Sequence, residues 1–150
     1  MPQSLAKILT HIVFSTKQRS PYLSKDICTE LYPYIAKILI NQNCYPIEIG
    51  GVSDHLHVLC AISKNISASK LIEELKTTSS KWIKTKNNDL VNFHWQSGYG
   101  IFSISPKHAD VVKTYITNQE KHHQQITFQD EFRRLLDKYN ITYDERYVWD

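Results

Sequence analysis

Two strand-like runs, Tyr45 to Val52 and His55 to Ile62, are separated only by Ser53 and Asp54. A two-residue link cannot carry a parallel crossover, so the runs must pair as an antiparallel hairpin. Everything else in the chain has to pack around that hairpin. Ile8 to Ser15 and Gly100 to Ser105 read as further strands. Ser24 is a capping residue for a helix with apolar positions at Ile27, Leu31, Ile35, Ile38 and Leu39, and Pro33 inside it is expected to kink or split it. Ser67 starts a second helix with Leu71, Ile72, Leu75, Ser79, Trp82 and Ile83 on one face. Ser105-Pro106 opens a third, running through Tyr115 to about Gln125. Thr127 with Asp130 resembles a capping box for a last helix carrying Phe128, Phe132, Leu135, Leu136 and Tyr139. The resulting order, β-α-β-β-α-β-α-α, implies an α+β domain: an antiparallel sheet with helices packed on one side. The glycines fall at Gly50-Gly51 and at Gly98 and Gly100, beside strands, where a bulge or close backbone approach is expected.

The 150 residues fit a single domain spanning 1–150, with about 140–150 read as an extended tail. Cys28, Cys44 and Cys60 are odd in number and far apart. They fit reduced, buried thiols better than a disulfide framework or a thiolate zinc site. No apolar run is long enough to span a membrane, and no signal peptide is evident at the start, so a cytoplasmic protein is expected. The formal charge of +3 permits a polyanionic partner without arguing for one. Locally, six lysines between Lys64 and Lys86 face only Glu73 and Glu74.

Three groups of residues could carry chemistry. On a strand, His55 and His57 point to the same face, which makes half of a site for a divalent cation. The same pair would also suit a solvated sheet face, although Asp54 beside it favours the metal reading as a supporting partner. On a helix, Val111, Tyr115, Gln119 and His122 share one face. Most tyrosines are half-buried structural residues. Gln119 is unusual on a core-facing position, however, and could complete a metal site that Tyr115 also reaches. Lys17, Arg19, Lys81 and Lys84 are candidate DNA contacts, and a solvated surface is the ordinary role of such residues. Trp82, Trp95 and Tyr99 would suit stacking on unpaired bases, with a core role as the alternative.

Five segments occur together: HIVFSTKQRSPYL at 11–23, GGVSDHLHVL at 50–59, LKTTSSKWI at 75–83, FHWQSGYGIFSIS at 93–105 and VKTYITNQEKHH at 112–123. In this order they resemble the single-tyrosine HUH transposases of small bacterial insertion sequences, the insertion sequence 200/605 family. The resemblance implies that His55 and His57 are metal ligands, Gln119 the third ligand and Tyr115 the nucleophile. It implies a ferredoxin-like or RRM-like fold with the tyrosine-bearing helix near the C-terminus, and a homodimer in which one subunit's tyrosine helix can complete the other's site. It further implies a bacterial or archaeal, nucleoid-associated enzyme using Mg²⁺ or Mn²⁺. Such an enzyme nicks and rejoins single-stranded DNA with hairpin ends through a 5′-phosphotyrosine.

A covalent phosphotyrosine keeps the bond energy for rejoining, so no ATP site is needed, and no P-loop is present. Two histidines and an amide make an uncharged site, which suits Mn²⁺ by ligand type, while abundance favours Mg²⁺. No general base for Tyr115 is evident, with His122 the weak candidate. The alternatives are a domesticated palindrome-processing nickase, a non-catalytic single-stranded nucleic-acid-binding domain, and a small hydrolase that uses water.

Overall fold

The computed structural model describes residues 2–150. These residues form a four-stranded antiparallel sheet of order β2-β3-β1-β4, made of β1 (Leu9–Ser15), β2 (Tyr45–Val52), β3 (His55–Ala61) and β4 (Gly100–Ile104). The helices are α1 (Lys25–Asn41), α2 (Ala68–Lys84), α3 (Ala109–Thr117), α4 (Gln119–His122) and α5 (Phe128–Lys138). The expected hairpin is present, with Val52 opposite His55 across the Ser53-Asp54 turn.

Alternation along β1 and β3 divides the molecule. Ile12, Phe14, Leu56, Val58 and Cys60 face α1 and α2, which pack together on one side through residues such as Leu31, Ile35, Leu71 and Leu75. The opposite residues, Leu9, Val13 and Leu59, face the C-terminal helices through Ile116, Phe128, Phe132 and Leu136. His11, His55 and His57 belong to this second face and are buried there.

The caps fall where the side chains predict. Ser24, Ser67 and Thr127 each accept a bond from a first-turn backbone N–H. Pro33 does not split its helix, contrary to expectation. Its missing N–H would have served the Thr29 carbonyl, and both residues lie on the exposed side, where water can take over. The third helix is shorter than expected: a turn at Pro106–His108 precedes α3, and a break at Asn118 separates α3 from α4. The tail also differs. Residues 145–149 turn, and Val148 and Trp149 return to cover the Phe128–Phe132 cluster, so 140–150 is not an extended tail. Apolar side chains there gain more from packing than from solvent.

Candidate active site

Two close approaches bring the C-terminal helices onto the histidine face. A Cβ on Gly50 would lie 2.8 Å from the Ile116 carbonyl oxygen, so glycine lets α3 settle directly on β2. A Cβ on Gly100 would lie 2.7 Å from a ring carbon of Phe132, so glycine likewise admits α5. Tyr115 on α3, Gln119 at the start of α4 and Glu131 on α5 are thereby set over β3.

Glu131 is the centre of the arrangement. Its Oε1 lies 3.0 Å from His57 Nε2, 3.0 Å from His123 Nε2 and 3.3 Å from His55 Nε2. Its Oε2 accepts from Gln119 Nε2 at 2.9 Å and from the Tyr115 hydroxyl. Gln119 Oε1 is 2.9 Å from His55 Nε2. Each of the three histidines is fixed through its other nitrogen. His55 Nδ1 donates to Asp54 Oδ1 at 2.7 Å, His57 Nδ1 shares a bond with His11 Nε2 at 2.8 Å, and His123 Nδ1 donates to the Ile126 carbonyl at 2.9 Å. This is how metal-binding imidazoles are held: one nitrogen is anchored and the other presented.

The donor set calls for a cation. With Nδ1–H already used, neutral His55 and His123 offer only a lone pair at Nε2, directed at the lone pairs of a carboxylate. A proton or a metal ion has to lie between them. The Nε2 atoms of His55, His57 and His123 and a carboxylate oxygen of Glu131 lie within 4.8 Å of one another, a group that could hold a metal ion. The mixed nitrogen and oxygen set fits a divalent cation. Without one, burial would lower His55, but the Asp54 and Glu131 carboxylates overcome it and lift its pKa to about 9. Burial dominates at His57 and His11, and both are held below the usual histidine value. Burial opposes ionisation of Glu131, yet His123, His55 and His57 bring it well below the carboxylate range. Tyr115 is raised, first by burial and then by the Glu131 charge.

The structure therefore brings together His55, His57, Tyr115, Gln119 and Asp54. His122 sits at the edge, its Nε2 3.5 Å from the Tyr115 hydroxyl. Three participants were not singled out by pattern: His11, His123 and Glu131. The last had a visible sign, a carboxylate on the apolar stripe between Phe128 and Leu135. It also means that the site is not uncharged, as two histidines and an amide would be, and that Tyr115 has a carboxylate at its hydroxyl. The proposed DNA contacts lie elsewhere. Lys81 and Lys84 are on α2, across the sheet, in a groove shared with Trp95 and Gln96. Lys17 is exposed in a short turn. Arg19 is turned inward: its guanidinium donates to the Trp149 carbonyl at 2.7 Å and lies over that indole.

Two same-strand histidines lie on the sheet under a tyrosine-bearing helix, and the comparisons give the class of protein, a transposase. The model of the family "Transposase IS200 like" matches residues 4–119, and the chain belongs to that family. No curated protein matches it. Among solved structures, the fold is similar to that of a candidate transposase from Deinococcus radiodurans R1, with a TM-score of 0.62 and 18% identity over 79% of this chain and 98% of that one. It is also similar to a REP-associated tyrosine transposase bound to a REP hairpin, with a TM-score of 0.61 and 16% identity over 96% of this chain and 91% of that one. α5, with Glu131, lies beyond the residues that the family model matches.

Proposed function

We propose that this protein is a metal-dependent transposase that nicks and rejoins single-stranded hairpin DNA through a 5′-phosphotyrosine at Tyr115. One observation carries the reading: the Tyr115 hydroxyl and the Nε2 atoms of His55 and His57 meet at the same carboxylate, Glu131. A nucleophile and a metal cradle thus share one point. The family membership supports the activity, and the REP hairpin bound by a similar protein supports a hairpin substrate.

His55, His57 and Gln119 would hold Mg²⁺ or Mn²⁺, with Glu131 and His123 as the additional donors. Asp54 and His11 orient the two strand histidines. The ion, when bound, supplies Lewis-acid stabilisation of charge at the scissile phosphate. Glu131 Oε2 orients the Tyr115 hydroxyl and offers its proton a path out. As the Tyr115 Oη–P bond forms, the bond from phosphorus to the 3′-oxygen breaks, and that oxygen leaves as a hydroxyl. A 3′-hydroxyl attacking the phosphotyrosine reverses the step and rejoins a strand. Excision needs two cleavages, and one tyrosine per chain suits a homodimer.

The test is an adduct assay. With Mn²⁺ and labelled single-stranded DNA bearing hairpins, wild type gives a denaturant-stable protein–DNA adduct. Tyr115→Phe gives none, and His57→Ala lowers the yield by about 100-fold or more, the scale of one electrostatic contribution to a transition state. An adduct in Tyr115→Phe overturns the nucleophile assignment.

A further inference from the structure

A cavity of about 290 Å³ opens beside Tyr115, with His11, His122 and Glu131 also in its lining. Its wall is apolar where Val112, Leu135 and Tyr139 meet, and cationic at its lip, where Arg134 and Lys138 stand on α5. Arg134 and Lys138 are both exposed and one helical turn apart, as neighbours on one face of a helix. The adjacent Arg133 is already engaged by Asp130 and Glu145. Among the described residues, no carboxylate lies within 4.0 Å of the charged nitrogens of Arg134 or Lys138. The carboxylate that lines this cavity, Glu131, is turned to the histidines. Two cations with no carboxylate partner, one of them Lys138 over the Tyr139 ring at 5.6 Å, therefore flank a largely apolar cavity beside the proposed nucleophile. α5 is anchored by Phe128, Phe132 and Leu136, with Leu135 and Tyr139 packed at the edge of the same cluster.

We infer that this cavity is the subsite for one unpaired nucleotide next to the cut. Arg134 and Lys138 take the backbone phosphate, and the base enters the space between Val112, Leu135 and Tyr139. The inference rests on the proposed function and adds to it the reason for single-strand selectivity. The volume is at the small end of ligand pockets, which begin at roughly 300 Å³, and has room for one nucleoside but not for a base pair. A base still in a duplex cannot enter, so its phosphate cannot reach Tyr115 with α5 in place. The phosphate contacts are electrostatic and independent of sequence, while the walled base site gives the strand its register.

Binding is measured in Tyr115→Phe protein without metal, using a fluorescein-labelled random single-stranded 20-mer. The added double substitution Arg134→Ala/Lys138→Ala weakens binding by about tenfold at moderate salt. It also lowers the slope of log affinity against log salt by about 0.7, the single-strand value for one phosphate. Lys7→Ala/Lys37→Ala removes the same charge from exposed positions elsewhere and leaves both quantities unchanged. With 5-iodouracil in the 20-mer, photocrosslinks map to the peptide containing Leu135 and Tyr139. Affinity and slope equal to those of the control, or crosslinks confined to the α2 peptide of Lys81 and Lys84, overturn the subsite. The outcomes are separable. Failure of wild type to form an adduct counts against the proposed function, and these binding data do not depend on cleavage.

Discussion

His55 and His57 can be useful only if their rings are fixed, and the residues that fix them differ in kind. Asp54 is next to His55 in sequence, and its carboxylate holds Nδ1. His11 comes from another strand, and holds His57 because antiparallel pairing of β1 with β3 puts Val13 opposite His57 and His11 on the diagonal. The first relation was legible in the sequence; the second depends on register, which a single pattern does not give. Glu131 was passed over despite its place on the apolar stripe, since a glutamate on an amphipathic helix ordinarily faces water. Asp54→Asn should lower Mn²⁺ affinity by about 10–100-fold, the usual effect of losing an orienting partner, as read by titration calorimetry. Unchanged affinity would remove Asp54 from the site. A pH effect follows as well. In chelator-treated protein, His55 has a folded pKa of about 9 against an unfolded value of about 6.5. Raised pKa means that the folded state holds the proton more tightly, so this contribution is complete below about pH 6.5 and lost as pH rises to about 9. The difference in melting temperature between wild type and His55→Gln should therefore shrink across that window, and added Mn²⁺ should abolish the trend. A difference that grows with pH would contradict the sign.

At the level of elements, local chemistry was the most readable part. Ser24, Ser67 and Thr127 cap their helices because a side-chain oxygen serves a free N–H within one turn, and that relation is written in consecutive residues. Breaks and returns were less so. The interruption at Asn118 and the return of Trp149 over Phe132 depend on what lies beneath them in space. Glycine lies between these cases: its position was visible, but not the partner it admits. At Gly50 the partner is the Ile116 backbone, which cannot swing aside as a side chain can. Gly50→Val should lift α3 and move the Tyr115 hydroxyl relative to β3. A displacement of about 1 Å can cost roughly 100-fold in rate, so single-turnover adduct formation should slow on that scale with His55 and His57 still in place. A normal rate would show that α3 need not sit this close. Gly100→Val should act through α5 instead, because Phe132 is what it would strike.

For the whole molecule, the hairpin and the element order were enough to indicate the antiparallel sheet, but not how its two faces divide the work. One face is a continuous apolar core under α1 and α2. The other is split into two smaller clusters, with the histidines between them. The proposed site lies where apolar packing is interrupted, and α3 and α5 close that gap from either side. This bears on the dimer. If the tyrosine helices were exchanged between subunits, Tyr115 would act on a partner's histidines. In a single chain, though, α3 is seated on its own β2 at Gly50, and Tyr115 bonds to its own Glu131. Every group proposed to act in cleavage lies within one chain. A dimer would then supply two independent cuts and not two halves of one site. Mixing Tyr115→Phe chains with His57→Ala chains tests this directly. With each tyrosine serving its own histidines, neither subunit of a mixed dimer has an intact site, and the mixture yields no more adduct than either variant alone. With exchanged helices, half of the sites in a mixed dimer pair an intact Tyr115 with intact histidines, and adduct returns. The seating at Gly50 and the Tyr115–Glu131 bond argue for the first outcome.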